Sequence, residues 1–154
     1  MVEGMTVAVV GADDWEVKRD LRLRALRESP AAFASTYERE RRYTEPEWRA
    51  WPRDGIFFAA GGHSIACGWL PAGEPDVANL ISMWVAPEHR GRGVAAALID
   101  AVAEWARTQE RDHLELEVAA GNESARKAYE RYGFEATDHA PFTPDGTVYA
   151  LKLR

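Results

Sequence analysis

The chain has 154 residues, one cysteine and a formal net charge of −6. That length is typical of one domain with a core large enough to fold without disulfides, and a lone cysteine excludes an internal one. The negative charge argues against sequence-independent nucleic-acid binding. No apolar run approaches the ~20 residues of a membrane span, and the first residues lack a signal-peptide pattern. We therefore expect a single cytosolic domain over 1–154 that binds neither nucleic acid nor membrane.

The first half of the chain predicts a strand, two helices and a hairpin. Residues 5–10 alternate apolar and small side chains, which is typical of a strand. A charged helix then ends near Ser29-Pro30, and Pro46 at the first position of a helix predicts a short helix over 47–51. Two further strands, at 56–60 and 64–71, are joined by a glycine-rich turn and predict a hairpin.

The second half alternates strands with helices. The predicted elements are, in order, a strand at 79–86, a helix at 94–107, a strand at 113–119, a helix at 122–132 and strands at 134–137 and 147–153. The strand at 113–119 alternates leucine or valine with glutamate, which predicts one buried and one exposed face. Together the elements predict an α/β (α+β) fold: a mixed central sheet of about seven strands flanked by about four helices.

A glycine-bearing turn joins the strand at 79–86 to the next helix and reads Arg90-Gly91-Arg92-Gly93-Val94-Ala95. Backbone N–H groups at a helix start lack partners and the helix dipole is positive there, so the turn suits a phosphate or pyrophosphate. The two arginines add charge-matched donors. An ordinary loop with solvated arginines is one alternative. A dinucleotide fold is another, but its fingerprint is a weak signal, and here four residues separate the strand from the glycines.

Two motifs resemble the GNAT superfamily of N-acetyltransferases. The first, Val85-x-Pro87-x-x-Arg90-Gly91-x-Gly93-Val94-Ala95-x-x-Leu98, resembles that family's acetyl-CoA turn. The second is Asn122-x-x-Ala125-x-x-x-Tyr129-x-x-x-Gly133-Phe134. The stretch 29–36, Ser-Pro-Ala-Ala-Phe-Ala-Ser-Thr, is similar to the substrate-side region of related chains. The resemblance implies a GNAT-like fold that uses acetyl-CoA as co-substrate.

The resemblance also implies which residues bind the coenzyme. Backbone groups of Met83, Trp84 and Val85 would pair with the pantetheine arm like an added strand. Asn122, with Ala125 in the same motif, would contact the pantetheine, although asparagine is equally a favoured helix N-cap. The pyrophosphate would be held at the turn by Arg90, Gly91, Arg92, Gly93, Val94, Ala95 and Ala96.

Tyr129 is the residue that the resemblance assigns as general acid on the departing thiolate. A phenol has an unperturbed pKa of about 10 and is protonated at neutral pH, so it can donate as the sulfur gains charge. The plain alternative is a buried aromatic on the helix face. Arg126, Lys127 and Arg131 share this helix, and one of them could meet the remote phosphate of the coenzyme.

The implied reaction is direct transfer of acetyl to a primary amine within a ternary complex. An alkyl ammonium with a pKa of about 10.4 must lose a proton before it can attack. The sequence offers no clear base, because the strand before the turn carries Ser82 where many relatives have a glutamate. We consider Glu38 and Glu40 as catalytic candidates, with His63 and His113 as further possible bases; a solvated surface position or a water relay is the alternative. By resemblance, substrate contacts would come from Phe33, Ser35, Thr36 and Ser82.

Other chemistry has weak support in the sequence. The four histidines lack metal-binding spacing, so we predict no metal site. Cys67 lies in an apolar run and is expected in the core. Trp48 and Trp51 would line an amine-binding wall, form a dimer contact or pack in the core. The predicted acceptor is a small-molecule amine; a protein N-terminus or lysine, and a sensor that binds acetyl-CoA without catalysis, are the alternatives.

Overall fold

Seven β-strands form one mixed sheet in the computed structural model, which describes residues 6–33 and 35–154. Met5, at the start of the predicted first strand, and Ala34, in the predicted substrate-side stretch, lie outside the described residues. The strands are β1 (Val7–Val9), β2 (Gly55–Ala60), β3 (Ser64–Trp69), β4 (Val77–Trp84), β5 (His113–Val118), β6 (Glu135–Ala136) and β7 (Thr147–Lys152). Their spatial order is β1-β2-β3-β4-β5-β7-β6, and of these pairs only β4 with β5 is parallel.

Five α-helices accompany the sheet among the described residues. They are α1 (Trp15–Glu28), α2 (Tyr37–Glu40), α3 (Glu45–Ala50), α4 (Val94–Thr108) and α5 (Glu123–Tyr132). The sequence did not predict α2, because a four-residue helix has no apolar period of its own. Its signal is the cap: the Thr36 side chain accepts a hydrogen bond of 3.1 Å from the backbone N–H of Arg39. The predicted hairpin and the long helices are confirmed.

Helices α1 and α4 cover opposite faces of the sheet. On the α4 face, Leu98 of α4 lies in one buried cluster with Leu114 of β5. On the α1 face, Leu21 of α1 is buried with Ile65 of β3 and Trp84 of β4. Because side chains alternate along a strand, β2, β3 and β4 each contribute to both clusters, and a residue's position in the strand decides which helix it meets.

Strands β4 and β5 separate after a short paired stretch. Their register runs only from Val77 opposite His113 to Asn79 opposite Glu115, although β4 continues to Trp84 and β5 to Val118. Beyond that point the facing edges of the two strands are unpaired. Helix α4 follows β4, and α5 follows β5. The fold therefore places two helix N-termini beside a gap at the carboxyl ends of parallel strands, a common location for ligands in open α/β sheets.

A β-bulge interrupts β4 beside this gap. Ile65 pairs with Trp84 and Cys67 with Ile81, so β4 contains one more residue than β3 between the two pairs. Ser82 lies in the extra segment and has a φ of 59°. A positive φ is uncommon for a residue with a side chain, and bulges of this kind re-aim side chains beside functional sites.

The expected exposed face of β5 is covered, which corrects the prediction from its alternating pattern. Glu115 is only 9% exposed. Strand β5 lies between β4 and β7, and the segment after β6 reaches over it: His139 contacts Glu115, while the backbone N–H groups of Phe142 and Thr143 donate to Glu117 at 2.6 and 2.9 Å. Alternation correctly predicted which side chains share a face, but not that a distant loop would cover the polar ones.

Candidate functional site

The predicted glycine-bearing turn joins β4 to α4, and its glycines have positive φ angles. Gly91 has a φ of 77° and Gly93 a φ of 80°, both in the left-handed region that favours glycine. A Cβ at Gly91 would meet no atom within 4 Å, so the requirement there is conformational. Gly93 is the N-cap of α4 and no side chain caps this end. The first N–H groups of α4 therefore have no intrahelical acceptor and could bind an anion.

The two arginines of the turn differ in their contacts. Arg90 donates from Nε to the Val85 carbonyl at 2.9 Å and from Nη2 to Glu28 at 2.7 Å. Glu28 also accepts from Ser29 and from the Trp84 indole, and these hydrogen bonds, with that of Arg90, hold the pKa of its carboxyl below the ordinary value. Arg90 thus fastens the turn to α1, whereas Arg92 is exposed. Of the two, Arg92 is the better candidate to contact a bound anion, because Arg90 already donates to two protein groups.

Asn122 and Tyr129 lie on α5, at the other side of the gap. The Asn122 side chain accepts a hydrogen bond of 3.2 Å from the backbone N–H of Ala125, so asparagine's role as N-cap is confirmed. The Tyr129 ring packs edge-on against Phe134 with centroids 5.7 Å apart. Burial raises the pKa of Tyr129 to about 12, which keeps the phenol protonated.

The basic residues of α5 are not equivalent either. Arg126 forms ion pairs with Glu123 at 2.5 Å and with Glu130 at 2.9 Å on its own helix. Lys127 and Arg131 are exposed. Since Arg126 is already neutralised by two carboxylates, Lys127 and Arg131 are the better candidates for an exposed phosphate of the coenzyme.

A buried cation on α1 organises the predicted substrate side. Both oxygens of Glu40 accept hydrogen bonds from Arg22, at 2.8 and 3.0 Å. Glu40 is 2% exposed and Arg22 is 5% exposed. A third donor of Arg22, Nη1, reaches the Ser82 hydroxyl at 2.6 Å. The guanidinium also lies 4.8 Å from the Phe33 ring centroid and 4.9 Å from that of Trp51. One side chain thereby joins α1, α2, the bulge of β4 and two aromatic rings.

Sequence reasoning missed Arg22. It is one of several arginines in a charged helix, and nothing local marks it as buried. The structure brings together three predicted site residues, Phe33, Glu40 and Ser82, around it. Glu40 is fully engaged by this cation, and the geometry favours a structural role for its carboxylate over that of a base.

The other proposed bases and substrate contacts are dispersed. Glu38 is exposed and pairs with Arg41 at 2.8 Å. His63 stacks on His89 with ring centroids 3.5 Å apart, at the turn between β2 and β3, and burial lowers its pKa. His113 is exposed at the start of β5. Thr36 is occupied as the α2 cap, while the Ser35 hydroxyl is buried without a hydrogen-bond partner among the described residues.

We expect the Arg22–Glu40 pair to be required for stability. Glu40→Leu should lower the free energy of unfolding by roughly 3–5 kcal/mol, because it leaves a buried guanidinium uncompensated. The double variant Arg22→Met/Glu40→Leu should recover much of that loss. Urea unfolding followed by tryptophan fluorescence measures both. Glu38→Gln, which removes an exposed ion pair, is the control and should change little. An unchanged urea midpoint for Glu40→Leu would contradict the structural role.

An aromatic-lined depression of about 440 Å³ opens on the α1 side of the sheet. Its walls include Tyr43, Trp51 and Trp69, and Ile81 of β4 lies beside the bulge. Trp48 is 1% exposed and belongs to the core, so only Trp51 of the predicted pair is available to a ligand. A larger depression, of about 510 Å³, is lined by α1 residues and Tyr37 without any strand residue. One of these α1 residues, Glu28, accepts hydrogen bonds from Trp84 of β4 and Arg90 of the glycine turn, so this depression also borders the turn.

Several predicted absences can be compared with the structure only within residues 6–33 and 35–154. There, no group of three or more histidine, cysteine, aspartate or glutamate side chains is arranged to hold a metal ion. Cys67 is fully buried, as expected, and burial raises its pKa to about 12, so the thiolate needed for covalent catalysis is disfavoured. No described helix has both the length and the apolar character needed to span a bilayer.

The sequence profile of the acetyltransferase (GNAT) family matches residues 22–134. The chain belongs to this family. The match includes α4, α5 and the glycine turn between β4 and α4, and so extends over both motifs on which the resemblance depended.

Individual relatives agree with this assignment. The chain is 29% identical over 150 residues to an uncharacterized N-acetyltransferase of Methanocaldococcus jannaschii, covering 88% of this chain and 62% of that one. A probable N-acetyltransferase family 8 member 5 of Mus musculus is 35% identical over 90 residues, covering 54% of this chain and 40% of the relative. The chain thus spans less than two thirds of the length of these curated relatives.

Solved structures share the fold. A GNAT-family protein from Desulfovibrio desulfuricans superimposes with a TM-score of 0.78, covering 98% of this chain and 100% of its own, at 18% identity. A protein from Salmonella typhimurium, solved with its cofactor acetyl-CoA, gives a TM-score of 0.74 over 99% of this chain and 95% of its own, also at 18% identity. The predicted fold class, a mixed sheet flanked by helices, is confirmed.

Proposed function

We propose that the protein transfers the acetyl group of acetyl-CoA to a primary amine. The observation that carries this is the gap between β4 and β5, which has the glycine turn of α4 on one side and the protonated Tyr129 on the other. Family membership and the acetyl-CoA bound to the Salmonella relative support the same reaction. Acetyl transfer from acetyl-CoA requires an anion site for the pyrophosphate and a proton donor for the thiolate, and the gap has one on each side.

The coenzyme would lie along the unpaired edge of β4. Its pyrophosphate would accept hydrogen bonds from backbone N–H groups of the turn, Gly91 to Ala96, with Arg92 adding charge. The pantetheine arm would pair with main-chain groups of Met83 to Val85, on the edge that β5 leaves free after Asn79. The Val85 carbonyl already accepts from Arg90, so Met83 and Trp84 are the better main-chain partners. Asn122 would contact the pantetheine while capping α5.

In the transfer step, the amine nitrogen attacks the thioester carbonyl, the new C–N bond forms and the C–S bond breaks. The departing thiolate takes the proton of the Tyr129 hydroxyl. A hydroxyl with a pKa of about 12 is fully protonated at neutral pH, so it is present as the acid whenever the sulfur leaves.

The acceptor is proposed to be a small amine with an apolar or aromatic body. The depression beside the β4 bulge has the volume typical of small-ligand sites, and its aromatic walls suit such a body or the face of a cation. A protein N-terminus or a lysine would bind the same walls through an extended groove. A homodimer would be compatible with either acceptor.

Two assays together test the proposed function. Titration calorimetry with acetyl-CoA measures coenzyme binding, and thiol release with a panel of small amines and short peptides measures turnover. We expect binding, and turnover with at least one small amine. Turnover with peptides alone would identify a protein acetyltransferase. Binding without turnover on any amine would identify a sensor, and no binding by a native protein would overturn the proposal.

Trp69→Ala should weaken binding of the acceptor without affecting binding of the coenzyme. We expect the acceptor's KM to rise about tenfold, the equivalent of one lost aromatic contact of 1–2 kcal/mol, with acetyl-CoA affinity unchanged. Trp15→Ala is the control, since Trp15 on α1 lies outside the residues that line the depression, and its ring contacts Arg19 instead. Steady-state kinetics with both substrates varied will measure the acceptor's KM in each variant. Equal increases in KM for the two variants would contradict this placement of the acceptor.

A further inference from the structure

We propose that His139, held by Glu115, is the general base that takes the proton from the acceptor ammonium. This rests on the proposed acetyl transfer and identifies the group that the sequence did not supply. His139 lies in the segment between β6 and β7. Its Nδ1 is 2.9 Å from Oε2 of Glu115 on β5, a residue 24 positions away in the chain.

The sheet register places this pair at the separation of the two parallel strands. Trp69 of β3 is opposite Asn79 of β4, and Asn79 is opposite Glu115 of β5. These three residues form one row across the sheet, with neighbouring strands ~4.8 Å apart. Asn79 and Glu115 are also the last paired residues before β4 and β5 diverge. The Glu115 carboxylate thus lies two strands from Trp69 of the aromatic wall, with Asn79 between them. It is at the end of the gap where the two parallel strands are still paired.

The pair also faces the acceptor side of the sheet. Leu114 and Leu116 belong to the cluster on the α4 face, so Glu115, between them, points to the opposite face. That is the face on which Ile81 and Trp51 pack with α1 and on which the aromatic depression opens. The coenzyme's anion site is on the helical turn at the far end of the gap, and an acceptor in the depression would approach the thioester from the His139 side.

The contact geometry suits a base. A carboxylate can only accept, so neutral His139 donates through Nδ1 and leaves Nε2 unprotonated, which is the tautomer that removes a proton. Glu115 is 9% exposed and therefore fixed in place, while the His139 side chain is 56% exposed and open to a ligand. The loop that carries the histidine is itself anchored, since Glu117 accepts from two backbone N–H groups at 142 and 143.

The proton balance is complete without any further reactant. Nε2 of His139 takes one proton from the ammonium, and the neutral amine attacks the thioester carbonyl. The C–S bond breaks, Tyr129 protonates the thiolate, and the proton lost by the new amide nitrogen returns to the tyrosine through water. His139 then releases its proton to solvent, so the products are the amide, free CoA and one proton.

The test uses His139→Gln, His139→Ala and Glu115→Gln in the full chain, with Asp138→Asn as control, because Asp138 is an exposed neighbour in the same segment. The probes are acetyl-CoA and, from the amine panel, the best alkyl amine and the best weakly basic aryl amine. We expect His139→Gln to lower kcat for the alkyl amine by about 100-fold or more, with KM for acetyl-CoA unchanged. The aryl amine, already neutral, should lose much less.

Two further readouts separate a base from a structural residue. Added imidazole should partly restore turnover to His139→Ala and not to a Tyr129→Phe variant. Glu115→Gln, a positioning change, should lower kcat less than His139→Gln while leaving both KM values in place. Equal losses with both amines, or normal turnover in His139→Gln, would overturn the base assignment alone. No turnover by the wild-type protein on any amine would overturn the acetyl transfer and the base with it.

Discussion

A Gly93→Asp variant is expected to lose acetyl-CoA binding by about three orders of magnitude. A carboxylate about 4 Å from a phosphate is repelled by about 4 kcal/mol at an effective dielectric constant of 20, and each 1.4 kcal/mol corresponds to a factor of ten in affinity. The side chain would project at the N-cap of α4, where the proposed anion meets the first N–H groups. Titration calorimetry on the wild-type and variant proteins measures the difference.

Gly73→Asp is the matched control for this experiment. Gly73 has the same φ of 80° and, like the glycine turn, lies in a connection between elements, with open space around an added Cβ. It therefore receives the same charge and the same backbone strain away from the gap. Both variants should remain folded by circular dichroism and differ only in coenzyme affinity. Retained affinity in Gly93→Asp would refute the assignment of the turn.

Tyr129→Phe is expected to lower turnover by about 100-fold or more, since general acid catalysis contributes typically 10²–10⁴. The phenylalanine keeps the edge-on packing against Phe134 and removes only the hydroxyl. Stability and acetyl-CoA affinity should therefore be unchanged. Because burial raises the pKa of Tyr129 to about 12, wild-type turnover should show no decline from this group in the neutral and mildly alkaline range.

Tyr132→Phe on the same helix is the control for the tyrosine. It removes a hydroxyl that donates to Asp100 of α4 and lies one turn from Tyr129. This variant should show a change in unfolding temperature with kcat maintained, the reverse of the result expected for Tyr129→Phe. Thiol-release kinetics and thermal unfolding of the two variants distinguish a catalytic from a structural hydroxyl. An unchanged kcat in Tyr129→Phe would show that Tyr129 is not the general acid.

The two proposed proton-transfer groups approach the thioester from different elements. Tyr129 is carried by α5, which packs with α4 on one face of the sheet, whereas His139 reaches the opposite face from the segment before β7. A thioester between them would have its sulfur toward the acid and its carbonyl open to an amine that has just lost a proton. This division follows from the parting of β4 and β5, because the unpaired edges beyond Asn79 and Glu115 leave an opening between the two faces of the sheet.

The buried Arg22 network relates the acceptor side to the same opening. Its hydrogen bond to Ser82 ends on the β4 bulge, and one of its two aromatic neighbours, Trp51, lines the depression. Since the guanidinium is held by Glu40 on α2, it stabilises the positions of α1 and α2 against the strand that would bind the coenzyme. We therefore expect the stability of this network and the shape of the proposed acceptor site to be coupled.

The amino-acid sequence by itself determined the features that depend on neighbouring residues. Glycines at 91 and 93 predicted a turn before a helix, Asn122 predicted a cap, and the apolar period of α4 predicted its buried face. Each of these is decided by backbone sterics or by contacts within one helical turn. For the same reason the two family motifs, both local, were sufficient to predict the fold and the family.

Only the tertiary structure decided which polar side chains meet across the sheet. Arg22 reaches Glu40 and Ser82 over 18 and 60 positions of the chain, and His139 reaches Glu115 over 24. These contacts depend on strand order, on a one-residue bulge and on where a loop crosses β5, none of which leaves a periodic or local pattern. A pair of charged residues has the same sequence signature whether it is exposed or buried, so burial, which sets its chemistry, had to come from the fold.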